Sequence, residues 1–157
     1  MQTLRLLTDK HDLGRTSLVA GEPLSARGEG DLVLAVDKFA LTTNNITYAA
    51  FGDAMNYWSF FPTGMEGFGH MPVWGFADVL DSTADDIAVG ERFYGYFPIA
   101  DRVLMRAERV TPRGFYDGCE HRRTLVSAYN QYTRCSTDPA WRPDLEELQA
   151  LYRPLFL

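Results

Sequence analysis

The sequence predicts a mainly β domain built round a barrel, with short helices and a helical segment towards its C-terminal end. Three observations predict it. Short apolar runs of strand composition recur between turn signals, with no helical period among them until Pro112. Residues 71–97 (MPVWGFADVLDSTADDIAVGERFYGYF) read as a buried strand, an acidic turn, a glycine loop and an aromatic strand. After Pro112 the apolar residues fall at spacings of three and four, the signature of a helix face.

Taken in order, residues 4–7 and 17–19 are short apolar pieces suited to edge strands, with Lys10-His11-Asp12 as the turn between them. Residues 22–31, rich in Gly, Pro and charge, are loop. Residues 32–41 (LVLAVDKFAL) form a strong strand, apolar on both sides in its first half and therefore central. Thr42-Thr43-Asn44-Asn45 favours a turn or a helix N-cap, because short polar side chains bond nearby backbone N–H groups. A short helix over 46–51, ended by Gly52, fits that start. Residues 73–80 and 92–97 are strands joined through the polar turn 81–86 and Val89-Gly90-Glu91-Arg92, where Gly permits the turn and the acid and Arg can pair. Residues 101–105 add a strand, and Arg109-Val110 closes the set. Residues 120–134 (EHRRTLVSAYNQYTR) place Leu125, Val126, Tyr129 and Tyr132 at helical spacing. Asp144 caps a second helix, DLEELQALYRP, whose acidic first turn suits the helix dipole. The expected organisation is a barrel over 1–115 and helices over 116–157; the apolar Leu155-Phe156-Leu157 end hints at a longer protein.

A chain of 157 residues, 46% hydrophobic and 13% aromatic, is one globular domain. Its net charge of −6 and scattered Arg residues give no electrostatic footprint for nucleic acid. No apolar run approaches the roughly 20 residues of a membrane span, and the N-terminus lacks a secretory pattern. No membrane partner and a cytoplasmic setting are expected. Placed on the 120–134 helix, Cys119 and Cys135 would lie roughly 24 Å apart at about 1.5 Å per residue, well beyond the reach of a disulfide, so both are expected unpaired.

Residues 52–71 are poor in charge and rich in glycine and aromatics. Their rings either pack back over the barrel mouth as a satellite core or form a substrate-facing wall, since ligand pockets are mostly aromatic and apolar. On the second reading Tyr57, Trp58, Phe61, His70 and Trp74 line that wall.

The order LVLAVDKFALTTNN, a gap, PVWGFADVLDS, then DIAVGERFYGY resembles the GroES-like N-terminal barrel of the medium-chain dehydrogenase/reductase superfamily, over roughly residues 32–157. That family follows a strand with a short Asn-bearing helix before a Gly, then a Gly-containing strand ending in Val, then a V-G-D-R-V turn. Val89-Gly90-Glu91-Arg92-Phe93 stands for the last. Within the superfamily the likeness is to a bacterial zinc-less group, itself uncharacterised, related to quinone oxidoreductases. The resemblance implies a partly open barrel leading through helices to a nucleotide-binding domain.

Zinc-dependent members carry a Cys after the first central strand and a Gly-His-Glu further on. Here no Cys stands between Phe39 and Thr47, and the second region offers His70-Met71-Pro72 or Gly75-Phe76-Ala77. One His cannot replace the three protein ligands that catalytic zinc needs, so no zinc is expected. The zinc-independent members reduce activated double bonds with a nicotinamide. By resemblance Tyr48 is the proton donor and Asn44 or Asn45 holds a carbonyl oxygen. The residues alone equally allow Tyr48 as a half-buried packing residue. No G-x-G-x-x-G follows a strand, so NADPH is implied for a complete enzyme and not for this chain alone. A missing domain or a separate nucleotide-binding chain would supply it. The expected partner is a small apolar or carbonyl substrate, and the uncovered domain face predicts a homo-oligomer. The alternative is a non-enzymatic barrel that binds a small apolar ligand or a protein partner.

Overall fold

Two strands open the chain, β1 (Thr3–Asp9) and β2 (Thr16–Gly21), and β1 also pairs with the two-residue β4 (Phe68–Gly69) to give a three-stranded sheet. The barrel is built from β3 (Asp31–Phe39), β5 (Pro72–Ser82), β6 (Arg92–Pro98), β7 (Arg102–Thr111), β8 (Gly114–Asp117) and β9 (Gln131–Arg134). Its order is β3-β5-β6-β9-β8-β7, and β7 pairs back onto β3. The helices are α1 (Thr43–Ala50) and α2 (Glu146–Tyr152). This computed structural model describes residues 2–156, so Leu157 of the apolar C-terminal end lies outside the described residues.

The mainly β barrel with short helices and a C-terminal helix is the expected fold, but the barrel is closed rather than partly open. The closing strand comes from a stretch read as helix. Residues 120–134 form two short 3-10 turns and then β9, which pairs with β6 through Phe93↔Arg134 and with β8 through Phe115↔Tyr132. The barrel therefore runs past the expected boundary at 115, and Cys119 and Cys135 do not share a helix, although both thiols are free. The reason is tertiary. Arg122 is 1% exposed, and its guanidinium is drawn inward to the Asp117 carboxylate at 2.6 Å and the Tyr132 hydroxyl at 3.1 Å. Tyr132 stacks on Phe115 with ring centroids 4.9 Å apart and donates to the Tyr96 carbonyl at 2.6 Å. A helix would forfeit these contacts, and helical spacing is too weak a preference to resist them.

The core justifies the strand readings. Leu32, Leu34, Val73, Phe76, Phe93, Phe97 and Met105 have no exposed surface, and each such side chain contributes about 1.5–3 kcal/mol relative to exposure. β3 is central as expected, flanked by β5 and β7. Gly90 adopts φ +89°, so the turn into β6 does require glycine. The neighbouring acid and Arg do not pair with each other. Glu91 meets Arg134 at 2.8 Å, while Arg92 bonds Asp37 and Asp78 at 2.6 Å each and Glu146 at 2.7 Å. Through Glu146, which also contacts Lys38 and accepts the Trp141 indole N–H, the α2 helix is clamped to barrel strands β3 and β6. Asp144 lies in the turn before α2, paired with Arg142; Leu145 occupies the cap position.

Candidate functional site

Tyr48 stands at the edge of an aromatic floor. On β6, Tyr94 and Tyr96 alternate with Phe93 and Phe97, so the two phenols share one face of the sheet. Register places Trp74 of β5 opposite Tyr96 and Phe76 opposite Tyr94. Helix α1 brings Tyr48 onto this face, 5.5 Å from Tyr96 and 4.8 Å from Tyr57 between ring centroids. Tyr129, from the turn before β9, completes the floor at 6.1 Å from Tyr48 and 4.8 Å from Tyr96. Most of these pairs are edge-to-face or tilted, as ring quadrupoles prefer. Trp74, Tyr57 and Tyr96 are buried, whereas Tyr48 and Tyr129 are half-buried and form the accessible rim.

Hydrogen bonding gives the rim a direction. The Trp74 indole N–H donates to the Tyr48 hydroxyl oxygen at 3.2 Å. An indole nitrogen is donor only, so Tyr48 Oη is the acceptor there and keeps its own proton to give. The Tyr57 and Tyr129 hydroxyls lie 3.3 Å apart, and the Tyr129 hydroxyl also interacts with that of Tyr48. Burial raises the Tyr48 pKa above the usual phenol value, against the bonds from Trp74 and Tyr129, which favour the phenolate. Burial likewise raises Tyr129. At neutral pH the rim therefore holds protonated phenols and can act as a hydrogen-bond or proton donor.

The other sequence candidates do not all join this floor. Asn45 is buried and serves the fold: its Oδ1 accepts the Thr42 N–H at 2.6 Å, and its Nδ2 donates to the Pro72 carbonyl at 2.9 Å. Asn44 is half-buried beside it on α1. Trp58 is a packing residue of the 52–71 loop, wedged where a Cβ on Gly52 or Gly69 would come within 2.0 or 2.2 Å of its ring. Phe61 reaches the floor only through Tyr96, at 6.1 Å, and lies with His70 on a separate cavity. The structure thus brings together Tyr48, Tyr57 and Trp74 and adds Tyr94, Tyr96 and Tyr129. The period-two tyrosines of FYGYF were a readable signal for the first two additions. Tyr129 was hidden by the helical reading of its segment.

Fit to a cofactor can be judged from the same geometry. All strand pairings are antiparallel, so no strand–turn–helix crossover presents phosphate-binding backbone. The first turn of α2 carries Glu146 and Glu147, which repel a pyrophosphate. A dinucleotide does not fit the described residues. Among them, no group of three or more His, Cys, Asp or Glu is placed to hold a metal ion. No helix among the described residues is long and apolar enough to cross a membrane.

Residues 39–157 match the family described as "Protein of unknown function (DUF2855)". The chain belongs to this DUF2855 family. The match takes in α1, five of the six barrel strands in full and α2, so the Tyr48 floor lies wholly within the DUF2855 region. A comparison with curated proteins finds no match.

Proposed function

We propose that this chain is the substrate-side barrel of a zinc-independent reductase of quinone- or enone-type substrates, whose hydride donor, NADPH or NADH, is held outside the described residues. The observation that carries the reading is the Trp74 N–H bond to Tyr48 Oη, which leaves the phenol proton directed away from the indole at a half-buried aromatic rim. A flat conjugated carbonyl compound matches such a floor, with its ring over Tyr48 and Tyr129 and its oxygen accepting from Tyr48. As negative charge develops on the substrate, the Oη–H bond breaks and the proton passes to the enolate. The phenolate that remains accepts from Trp74 and Tyr129. These residues do not fit the nicotinamide itself, and their part is to bind, orient and protonate the carbonyl compound. A cytoplasmic setting belongs to the same reading, since two free thiols suit a reducing compartment.

A second reading has its own observation. Leu148, Leu151, Tyr152 and Leu155 expose apolar surface along and beyond α2, as a non-enzymatic barrel that docks a protein partner would. Titration with 2-cyclohexenone, followed by intrinsic tyrosine and tryptophan fluorescence, separates the two. The reductase reading expects saturable quenching that weakens about fivefold in Tyr48→Phe, the worth of one hydrogen bond. Equal quenching of both proteins, or none in either, would reject it.

A further inference from the structure

A cavity of about 420 Å³ lies between the three-stranded sheet and the barrel, lined by parts of β1, residues 60–62, the start of β7, and Asp117, Cys119, His121 and Arg122. It contains none of Tyr48, Tyr57, Trp74 or Tyr129 and is independent of the reading above. Its polar lining is unusual in what it leaves unpaired. Arg122 is 1% exposed and commits both terminal nitrogens, to Asp117, Tyr132 and the Tyr129 carbonyl, yet its Nε has no acceptor. Arg5 places Nη1 on the Thr63 carbonyl and likewise has a buried Nε without an acceptor. His70 is 6% exposed, with Nδ1 at 2.8 Å from the Phe61 carbonyl and a buried Nε2 without a partner. Nitrogens so buried in a finished fold are rarely left unmatched.

The chemistry of each nitrogen says what is missing. A carbonyl only accepts, so the proton of a neutral His70 sits on Nδ1, and Nε2 presents a bare lone pair. Burial, with the Arg5 charge nearby, holds the His70 pKa below its ordinary value and favours that neutral form. These three residues therefore offer the cavity two cationic donors and one neutral acceptor. Phe60 and Phe61 supply an aromatic wall, with the Arg122 guanidinium 4.5 Å above the Phe61 ring. Glu22 and Asp117 line the space against Arg5, Arg102 and Arg122, so a ligand with one negative charge is a better match than a dianion.

We infer that this cavity binds a small aromatic or branched hydroxy-carboxylic acid, its carboxylate accepting from Arg5 and Arg122 and its hydroxyl donating to His70 Nε2. The volume is in the range of small-ligand pockets, which run from about 300 to 1,000 Å³.

The probe is 3-phenyllactate, titrated into the full chain by calorimetry. Saturable one-to-one binding is expected, with 3-phenylpropionate, which lacks the hydroxyl, at least about fivefold weaker through the lost bond to His70. Arg5→Gln should weaken 3-phenyllactate about tenfold, the loss of a charge-assisted bond, while its thermal midpoint confirms that it folds. No binding of 3-phenyllactate at millimolar concentration would overturn the site. Equal affinity for the two acids would overturn the role of His70, and unchanged affinity in folded Arg5→Gln would overturn the carboxylate position. The two-acid comparison uses the unmodified protein, so a misfolded variant cannot decide the outcome.

Discussion

Replacing Glu146 by Gln tests whether α2 is clamped to the barrel by a buried ion network. The Glu146 side chain is 6% exposed and forms the centre of the attachment: Oε1 receives Arg92 Nε at 2.7 Å and the Trp141 indole at 2.8 Å, and Oε2 receives Arg92 Nη2 at 2.9 Å. Breaking a buried pair costs about 3–5 kcal/mol when the remaining charge has no other partner. Arg92 keeps Asp37 and Asp78, and Gln still accepts one bond, so the loss should be about 2 kcal/mol. At this chain length that is a fall in melting temperature of about 6 °C. The pH dependence carries the sign. Burial raises the Glu146 pKa, but the bonds from Arg92 and Trp141 outweigh it and hold the folded value below 4.5. The stabilisation is therefore complete above the unfolded value and fades as pH falls through the folded one. Urea unfolding of both proteins at pH 7 and at steps down to pH 3 should show the gap narrowing. A gap under about 0.5 kcal/mol at pH 7, or one that stays constant on acidification, would refute the clamp.

Three further outcomes are expected. Gly69→Ala drives a methyl to 2.2 Å from the Trp58 ring and should cost about 1–3 kcal/mol by overpacking; unfolding within experimental error of the parent would show that the loop gives way. Burial pushes both thiols up to about 12, but Cys135 is 1% exposed and Cys119 is half-buried, so a thiol reagent at pH 8 should modify Cys119 first and Cys135 only on unfolding. Fast modification of both would contradict that packing. The exposed Leu148, Tyr152 and Leu155 should drive self-association, read as a mass that rises with concentration in light scattering; a strictly monomeric profile would count against it.

Much of the fold was legible because the strands carry their own punctuation. LVLAVDKF and FYGYF announce themselves by composition, and Gly90 by the turn it must make. The opposite holds for residues 120–134. Nothing local distinguishes an amphipathic helix from two turns and a strand when Leu125, Tyr129 and Tyr132 sit at ambiguous spacings. The decision comes from Arg122 entering the core to meet Asp117 and from Tyr132 meeting Tyr96 and Phe115, contacts that exist only once the barrel is assembled. The site followed the same division. Tyr48, Tyr57 and Trp74 were visible as aromatics near the short helix, while Tyr129 depended on the misread segment. Asn45 is needed by the helix start and by Pro72. The partners of Arg92 lie far from it in sequence, so no local motif could foretell that it would choose Asp37, Asp78 and Glu146 over its neighbour Glu91.

The central claim, that the Tyr48 rim receives a conjugated carbonyl substrate, is tested most directly by a crystal structure of the chain soaked with 2-cyclohexenone. The enone ring is expected over Tyr48 and Tyr129, with its oxygen about 2.6–3.2 Å from Tyr48 Oη. Density for the enone away from this rim, or no enone in a crystal whose rim is open to solvent, would contradict it.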